Sequence, residues 1–346
     1  MSMLLYPFAW RYWSKNTIYT PLASIVLLSC FLRKGKPFFC TAANPKITMA
    51  GLANDSKYEV YKHIPSKYIP TTVFIPKEST WEEVKNMFET HRLAFPIFAK
   101  PDIGEGGLGV KKIANWEGLR EYYQLHHIDI ILQNCIPYSM EFGVMVHDAN
   151  GKLEISSLTE RAHFQLIGNG TSSILALIKA NKTYRFRAKK ILSALGEDGQ
   201  RVLNKGEVFK PISLGNWSYG ATFIDRREWI NDELTAIFQK MNDEIGMVHV
   251  GRYDILAPSF EAMLRGEFQI VEINGIKSEL IHVFDPKYNY FSAYAQILKH
   301  WYLMYKIAKR NVKAGAKPVP YRIAAEHMLC HFRSRKQQKS RYSYAE

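Results

Sequence analysis

Short apolar runs bounded by Gly, Pro or polar residues alternate along this chain with longer stretches of helical spacing. Strands impose a period of two and helices a period of 3.6. On that basis the short runs predict strands at 36–41, 71–75, 95–101, 110–113, 128–133, 141–147, 251–254 and 268–275. The helical spacing predicts a helix from Asp55 or Ser56 and others over 81–91, within the basic stretch 171–203, over 228–245 and over 291–312, the last ending near Gly315. The 81–91 helix carries acids in its first turn and a cation late, as the helix dipole prefers. Pro65 and Pro70 mark a linker, and no internal repeat is visible. Alternating helices and strands, some paired like hairpins, predict an α+β (mixed α/β) architecture.

The N-terminal part bears on location. Residues 21–32 form a largely apolar run of 12, flanked by Arg11, Lys15, Arg33, Lys34 and Lys36. That is short of the roughly 20 residues needed to cross a bilayer. The aromatic start, Tyr6, Phe8, Trp10, Tyr12 and Trp13, is unlike the leading region of a signal peptide, and no small-residue cleavage site follows. The run therefore predicts a buried helix or strand, with a membrane-associated segment as the alternative.

Composition narrows the classes. With 346 residues, 47% of them hydrophobic, the chain can bury a sizeable core in two or three lobes. Its four cysteines, Cys30, Cys40, Cys135 and Cys330, form no C-x-x-C pair, so neither a zinc site nor a disulfide framework is indicated. A reducing, cytoplasmic setting fits best, with peripheral membrane contact through the basic or aromatic termini as the alternative. The net charge is +14; the tail 331–346 carries +4 of it, so +10 is spread through the rest. Such a balance favours anionic partners, yet no nucleic-acid-binding signature accompanies it.

Candidate chemistry centres on two strands, one holding Gly251-Arg-Tyr-Asp and one holding Val271-Glu-Ile-Asn-Gly. Glu272 and Asn274 lie two apart and share a strand face. If the strand of Asp254 pairs beside them, two carboxylates and an amide carbonyl converge, a hard oxygen set suited to Mg²⁺. Gly104, Gly106, Gly107 and Gly109 form a second signal: without a Cβ their N–H groups can approach phosphate oxygens. The pattern is neither a P-loop nor a dinucleotide fingerprint, and a hairpin turn would explain it as simply. Lys100, at the end of the preceding strand, can place a point charge on a phosphate or merely be solvated. The third signal is the apolar run 130–137 ending at Pro137. There Asn134 and Ile136 could read a base edge through their backbones, and Glu141 could accept from ribose hydroxyls. A core strand followed by an exposed acid is the plain alternative.

In this order, Lys100, the glycine loop, a hinge strand with Glu141 after it, then Asp254 and Glu272-x-Asn274, the chain resembles the ATP-grasp superfamily, and within it D-alanine–D-alanine ligase-like carboxylate–amine ligases. The likeness covers roughly residues 55–315, and its most specific part is the Asp254-to-Glu272 interval of 18 residues. It implies a nucleotide held between two α+β subdomains, 66–140 with the glycine loop and 141–315 with the metal residues. A small α/β lobe, 1–65, precedes them and a basic extension, 316–346, follows. Lys57 matches the family's earlier nucleotide lysine. Three departures stand out. Gln133 occupies a hinge position where relatives often carry Glu, and Glu141 lies one residue further on. After Asn274 comes Gly275-Ile-Lys-Ser-Glu-Leu rather than a Pro-Gly turn, which argues against D-alanine as substrate. The third nucleotide cation is open among Arg161, Lys205 and Lys210.

The resemblance implies an ATP-dependent, ADP-forming ligase acting on a small carboxylate and an amine or similar nucleophile. Two Mg²⁺ ions, for which Mn²⁺ can substitute, would be held by Asp254, Glu272 and Asn274. Lys57 and Lys100 would hold the α- and β-phosphates, and Arg252 would face the transferring phosphoryl group. Gln133, Asn134, Ile136 and Glu141 would hold the nucleoside, and Ser278, Glu279 and His282 would approach the substrate. A kinase that stops at phosphoryl transfer and a non-catalytic nucleotide-binding interaction protein are the alternatives. His249 reads as structural. Residues 165–173 read as an anion-facing loop or a plain turn and cap, and the basic tail as a solvated extension or a docking segment.

Overall fold

A computed structural model describes residues 36–181, 183–210 and 221–342, with Trp10, Trp13, residues 17–19, Ser24, Leu28, Cys30 and Leu32 before them. The strands are β1 (Thr72–Ile75), β2 (Ile97–Pro101), β3 (Lys111–Ile113), β4 (Ile130–Asn134), β5 (Met140–Ala149), β6 (Lys152–Ala162), β7 (Leu166–Ile167), β8 (Val208–Phe209), β9 (Thr222–Asp225), β10 (Val250–Ala257) and β11 (Gln269–Asn274). The helices are α1 (Lys57–Tyr61), α2 (Trp81–Thr90), α3 (Trp116–His126), α4 (Ile174–Ala180), α5 (Ala188–Leu195), α6 (Asp232–Ile245), α7 (Phe260–Leu264), α8 (Tyr290–Lys313) and α9 (Tyr321–Tyr342).

The fold is mixed α/β, with antiparallel sheets. A four-stranded sheet runs β1-β4-β2-β3, a five-stranded sheet β11-β10-β5-β6-β9, and β7 pairs with β8. Local chemistry sets these elements. Thr80 and Glu83 form a reciprocal capping box at the start of α2, and Ser56 accepts from the Glu59 N–H at the start of α1. Asn231 caps α6, and Gly246, in a left-handed conformation, ends it. One face of the small sheet buries Val73, Ile75, Ile97, Ala99, Ile130 and Leu132 against Val84 and Phe88 of α2 and Leu119 and Tyr122 of α3. The large sheet packs Phe142, Val144, Tyr253 and Ile255 against Leu234, Phe238 and Met241 of α6, and Tyr61 of α1 joins the same core. The site lies where α1 and β2–β4 meet β10 and β11.

Several expectations change. Residues 39–43 form a 3-10 turn, not a strand, and all five are buried. The turn packs on Met304, Ile307 and Ala308 of α8, and an apolar run buried all round has no period to betray its form. The basic stretch 171–203 is two short helices joined by 3-10 turns, broken at Asn181 and Gly196. The extension is largely the helix α9, mostly exposed but held by Val319 N on Thr41 Oγ1 before it and by Gln338 Nε2 on Ile103 O near its end. Residues 21–32, apart from Ser24, Leu28, Cys30 and Leu32, lie outside the described residues, as do Tyr6, Phe8 and Tyr12; Trp10 is buried and stacks on Phe284 at 5.8 Å. Among the described residues no helix is long and apolar enough to cross a membrane.

Candidate active site

The strands β10 and β11 pair with Asp254 opposite Glu272 and Arg252 opposite Asn274. Directly opposed side chains leave a sheet on the same face, so all four project together. Gly143 on β5, opposite Asp254, makes room for them: a Cβ there would lie 2.7 Å from Ile281 Cδ1 and 3.1 Å from Arg252 Cδ.

Asp254 is filled by cations. Its Oδ1 accepts from Arg252 Nε at 2.6 Å and faces Arg161 Nη2 at 2.8 Å; its Oδ2 accepts from Arg252 Nη2 and Asn274 Nδ2, each at 3.0 Å. Burial pushes the Asp254 carboxyl up, but Arg161 and Arg252 more than reverse this and hold it below the usual range. Arg161 also donates to Glu141 at 2.6 Å, and His163 Nε2 lies 3.3 Å from the other Glu141 oxygen. Glu141 thus stands inside an ion-pair cluster, held low by Arg161 and His163 against burial.

Lys100 is buried. Its ammonium donates to Tyr61 Oη and Gln133 Oε1, each at 2.9 Å, while Tyr61 Oη donates to Val271 O at 2.7 Å. Tyr61 therefore ties the small sheet to β11. Burial lowers the Lys100 pKa to about 7; Glu272 opposes this and Lys57 adds to it. Lys57 donates to Gly104 O at 2.6 Å and Asp102 O at 3.3 Å, and lies 3.7 Å from Glu272 Oε1. The structure thus brings together Lys57, Lys100, the glycine loop, Arg252, Asp254, Glu272 and Asn274. Gly106 and Gly107 have positive φ, +65° and +76°.

The other sequence candidates divide. The Gln133 side chain is locked between Lys100 and Thr72, and Asn134 uses its backbone N–H on Thr71 and its side-chain oxygen on Ala94. Ile136, half-buried, follows β4. Ser278 donates to Gly275 O at 2.6 Å and so closes a turn, and Glu279 O accepts from Arg252 Nη1 at 2.9 Å. His282 is a core residue rather than a substrate-facing one. Its ring nitrogens are held by Ser157 and Gln296, each at 2.7 Å, and burial depresses its pKa to about 4. Of the three candidate cations, Arg161 lies in the site, whereas Lys205 and Lys210 are exposed near β8. Residues 165–173 form a turn and cap: Asn169 Oδ1 accepts from the N–H groups of Thr171 and Ser172, and Ser173 caps α4. His249 pairs with Asp148 at 3.0 Å. Sequence reasoning missed Tyr61, His163 and Lys277, the last paired with Asp55 at 2.7 Å and Glu105 at 3.1 Å.

Two carboxylates and an amide suit a hard cation in kind. Of the three, Glu272 is the open ligand, its side chain 35% exposed, whereas both Asp254 oxygens are engaged by guanidinium and amide groups. Among the described residues no group of three His, Cys, Asp or Glu side chains is disposed to hold a metal. The donor set therefore fits Mg²⁺ through Glu272 and Asn274, with Asp254 available only if Arg161 and Arg252 release it.

No protein-family model matches the chain. Cyanophycin synthetase of Crocosphaera subtropica is 27% identical over 217 residues, covering 55% of this chain and 24% of that protein. The chain thus aligns with about a quarter of that relative's length. Among solved structures, D-alanine–D-alanine ligase from Bacillus anthracis matches with a TM-score of 0.43 and 14% identity, over 75% of this chain and 68% of that one. A bifunctional glutathione synthetase from Pasteurella multocida matches with a TM-score of 0.41 and 13% identity, over 71% and 36%. The chain resembles ATP-grasp ligases.

Proposed function

We propose that the chain is an ATP- and Mg²⁺-dependent ligase that activates a small carboxylate as an acyl phosphate and joins it to an amine or similar nucleophile. The observation that supports this is the meeting of Lys57, Lys100 and the glycine loop with Arg252, Asp254, Glu272 and Asn274 at one place in the fold. Lys57, Lys100, Arg161 and Arg252 there face the carboxylates Glu141, Asp254 and Glu272, and with both arginines already paired a polyanion would meet chiefly the two lysines.

In this reading a substrate carboxylate oxygen attacks the γ-phosphorus of ATP, the bond to the β-bridging oxygen breaks, and ADP leaves. The nucleophile then attacks the acyl carbon, losing its proton as phosphate departs. The barrier lies in bringing anions together, so positioning and charge neutralisation dominate. Lys57 would hold the phosphates from the α1 side, exchanging its present carbonyl partners for them, and Lys100 from the small sheet. Arg252, fixed by Glu279 O, would face the transferring group, and Arg161 would supply the third nucleotide cation. Glu272 and Asn274 would hold Mg²⁺, which when bound neutralises the β- and γ-phosphates. Asn134 and Ile136 would flank the base. Glu141, tied to Arg161, would position that arginine and reach ribose only by exchanging it. Ser278 would shape the substrate turn.

The test is Mg²⁺-dependent ADP release from ATP with mixtures of carboxylates and amines. Glu272→Gln should cut ADP release by about 10²-fold or more, the loss of several kcal/mol of charge stabilisation. Full ADP release by that variant would refute the metal assignment, and a stable phosphorylated product without an amide would replace the ligase with a kinase.

A further inference from the structure

The glycine loop, residues 102–110, is gripped from two sides at one residue. Glu105 Oε1 lies 3.1 Å from Lys277 Nζ, and Glu105 Oε2 lies 3.7 Å from His331 Nε2 and 3.8 Å from Arg335 Nη1. One turn beyond Arg335, Gln338 Nε2 donates to Ile103 O at 2.7 Å, and its Oε1 lies 3.5 Å from where a Gly104 Cβ would be. Glu105 is 29% exposed, and Lys277 and His331 hold its carboxyl low against burial.

The two grips come from different parts of the fold. Lys277 stands three residues after Asn274 and also binds Asp55 at 2.7 Å, beside the N-cap of α1. It therefore joins the glycine loop, the helix that carries Lys57 and the segment 275–280. That segment is itself seated closely: Ile276 N donates to Ala50 O, and a Cβ on Gly275 would lie 2.1 Å from the same oxygen. The second grip is the far end of α9. Its near end is anchored on the N-terminal turn, where Val319 N donates to Thr41 Oγ1 and Ala324 is fully buried. A helix of 22 residues is about 33 Å long, so α9 is a strut that carries His331, Arg335 and Gln338 from that anchor to the loop.

A loop with three glycines at positive φ (Gly106, Gly107 and Gly109) has much backbone freedom to lose when its N–H groups must face a ligand. We propose that Glu105 is a positioning residue for the reaction proposed above. Lys277 and α9 hold it so that the glycine loop is set in place before nucleotide arrives. The proposal rests on the nucleotide reading, and it makes α9 a working part of the site rather than an appendage.

The test is hydrogen exchange of residues 102–110 in the full-length chain, without nucleotide and with the non-hydrolysable analogue AMP-PNP and Mg²⁺, in wild type, Glu105→Gln, Glu105→Asp, Lys277→Met and Arg335→Ala/Gln338→Ala. Glu105→Gln, Lys277→Met and the double variant should each speed exchange in 102–110 without nucleotide by roughly twofold to fivefold, the range expected of a partly exposed charge pair. They should also weaken AMP-PNP and raise the KM for ATP with kcat little changed, while exchange in β10 stays constant. Glu105→Asp should recover most of both. Unchanged loop exchange in Glu105→Gln would overturn the proposal. So would tighter AMP-PNP binding by Arg335→Ala/Gln338→Ala, which would make α9 a plug on the site. Faster loop exchange in the variants with no AMP-PNP binding by wild type would support the grip on the loop and refute the nucleotide reading instead.

Discussion

Lys100 should take up a proton when nucleotide binds. Its ammonium is buried between Tyr61 and Gln133, and its pKa is depressed to about 7 by burial, with Lys57 adding to the effect and Glu272 opposing it. Binding of a phosphate beside it would restore the charged form, so the bound pKa should return toward the ordinary lysine value of about 10.4. At pH 8 the free site would then be about 10% protonated and the bound site almost fully so, an uptake of about 0.9 proton per nucleotide. The sign follows: nucleotide affinity should fall as pH rises through and above 7, by about 50-fold between pH 7 and pH 9 from this group alone. With Mg²⁺ saturating, the terminal phosphate is ionised before it binds at pH 8, and any proton left on it would be released, opposite in sign to the uptake by Lys100. The assay is calorimetric titration with AMP-PNP and Mg²⁺ at pH 8 in buffers of different ionisation enthalpy. The slope of apparent enthalpy against buffer enthalpy gives the proton count. Lys100→Met should abolish the uptake. A wild-type count near zero at pH 8, with nucleotide bound, would refute the claim that Lys100 meets the phosphates from a partly neutral state.

Other outcomes follow from the same geometry. Arg161→Met leaves Asp254 and Glu141 buried without their shared cation and should cost about 3–5 kcal/mol of stability, read by urea denaturation. Both carboxyls have folded-state pKa values below the ordinary range, so their stabilisation is present above about pH 4 and is lost as pH falls through the folded values. Acid titration of wild-type stability should show that loss, and Arg161→Met should blunt it. Asn44→Ala removes a side chain that accepts from the N–H groups of His249 and Val250 and donates to Val250 O at 2.7 Å; it should cost about 3 kcal/mol in the same assay. Gly143→Val would push Ile281 and Arg252, and should slow ADP release about tenfold while the chain stays folded by circular dichroism.

How much of this could be read from the chain depended on whether a residue's task leaves a local trace. The pairing of Asp254 with Glu272 and of Arg252 with Asn274 follows from two strands with period-two patterning, and the register then places all four together. The glycine loop and Lys100 left weaker traces, since a hairpin turn and a solvated lysine would explain them as simply; the fold adds that Lys57 bridges the loop and Glu272 and that Lys100 is buried near Glu272. Strand β6 was not, although the cluster depends on it. Its inner face carries Ser157 and Thr159, buried and bonded to each other, and half-buried Arg161, with Ser157 also meeting His282 and Arg161 meeting Asp254, so the apolar alternation that marks a strand is missing. The turn before it did leave a signal: Asn150 and Gly151 both have positive φ, the dipeptide of a tight hairpin, and Gly151 N donates to Asp148 Oδ1. Taking that turn seriously would have placed Arg161 beside Glu141, near the other candidates, and Lys205 and Lys210 away from them. Lys277 and α9 are a different case. Lys277 acts on Asp55 and Glu105, 222 and 172 positions away, and the residues of α9 that touch the glycine loop look like any basic tail. Their meaning depends on a distance set by the fold, about 26 Å of helix from Tyr321, beside the Thr41 anchor, to Gln338 at Ile103, and no local pattern encodes it.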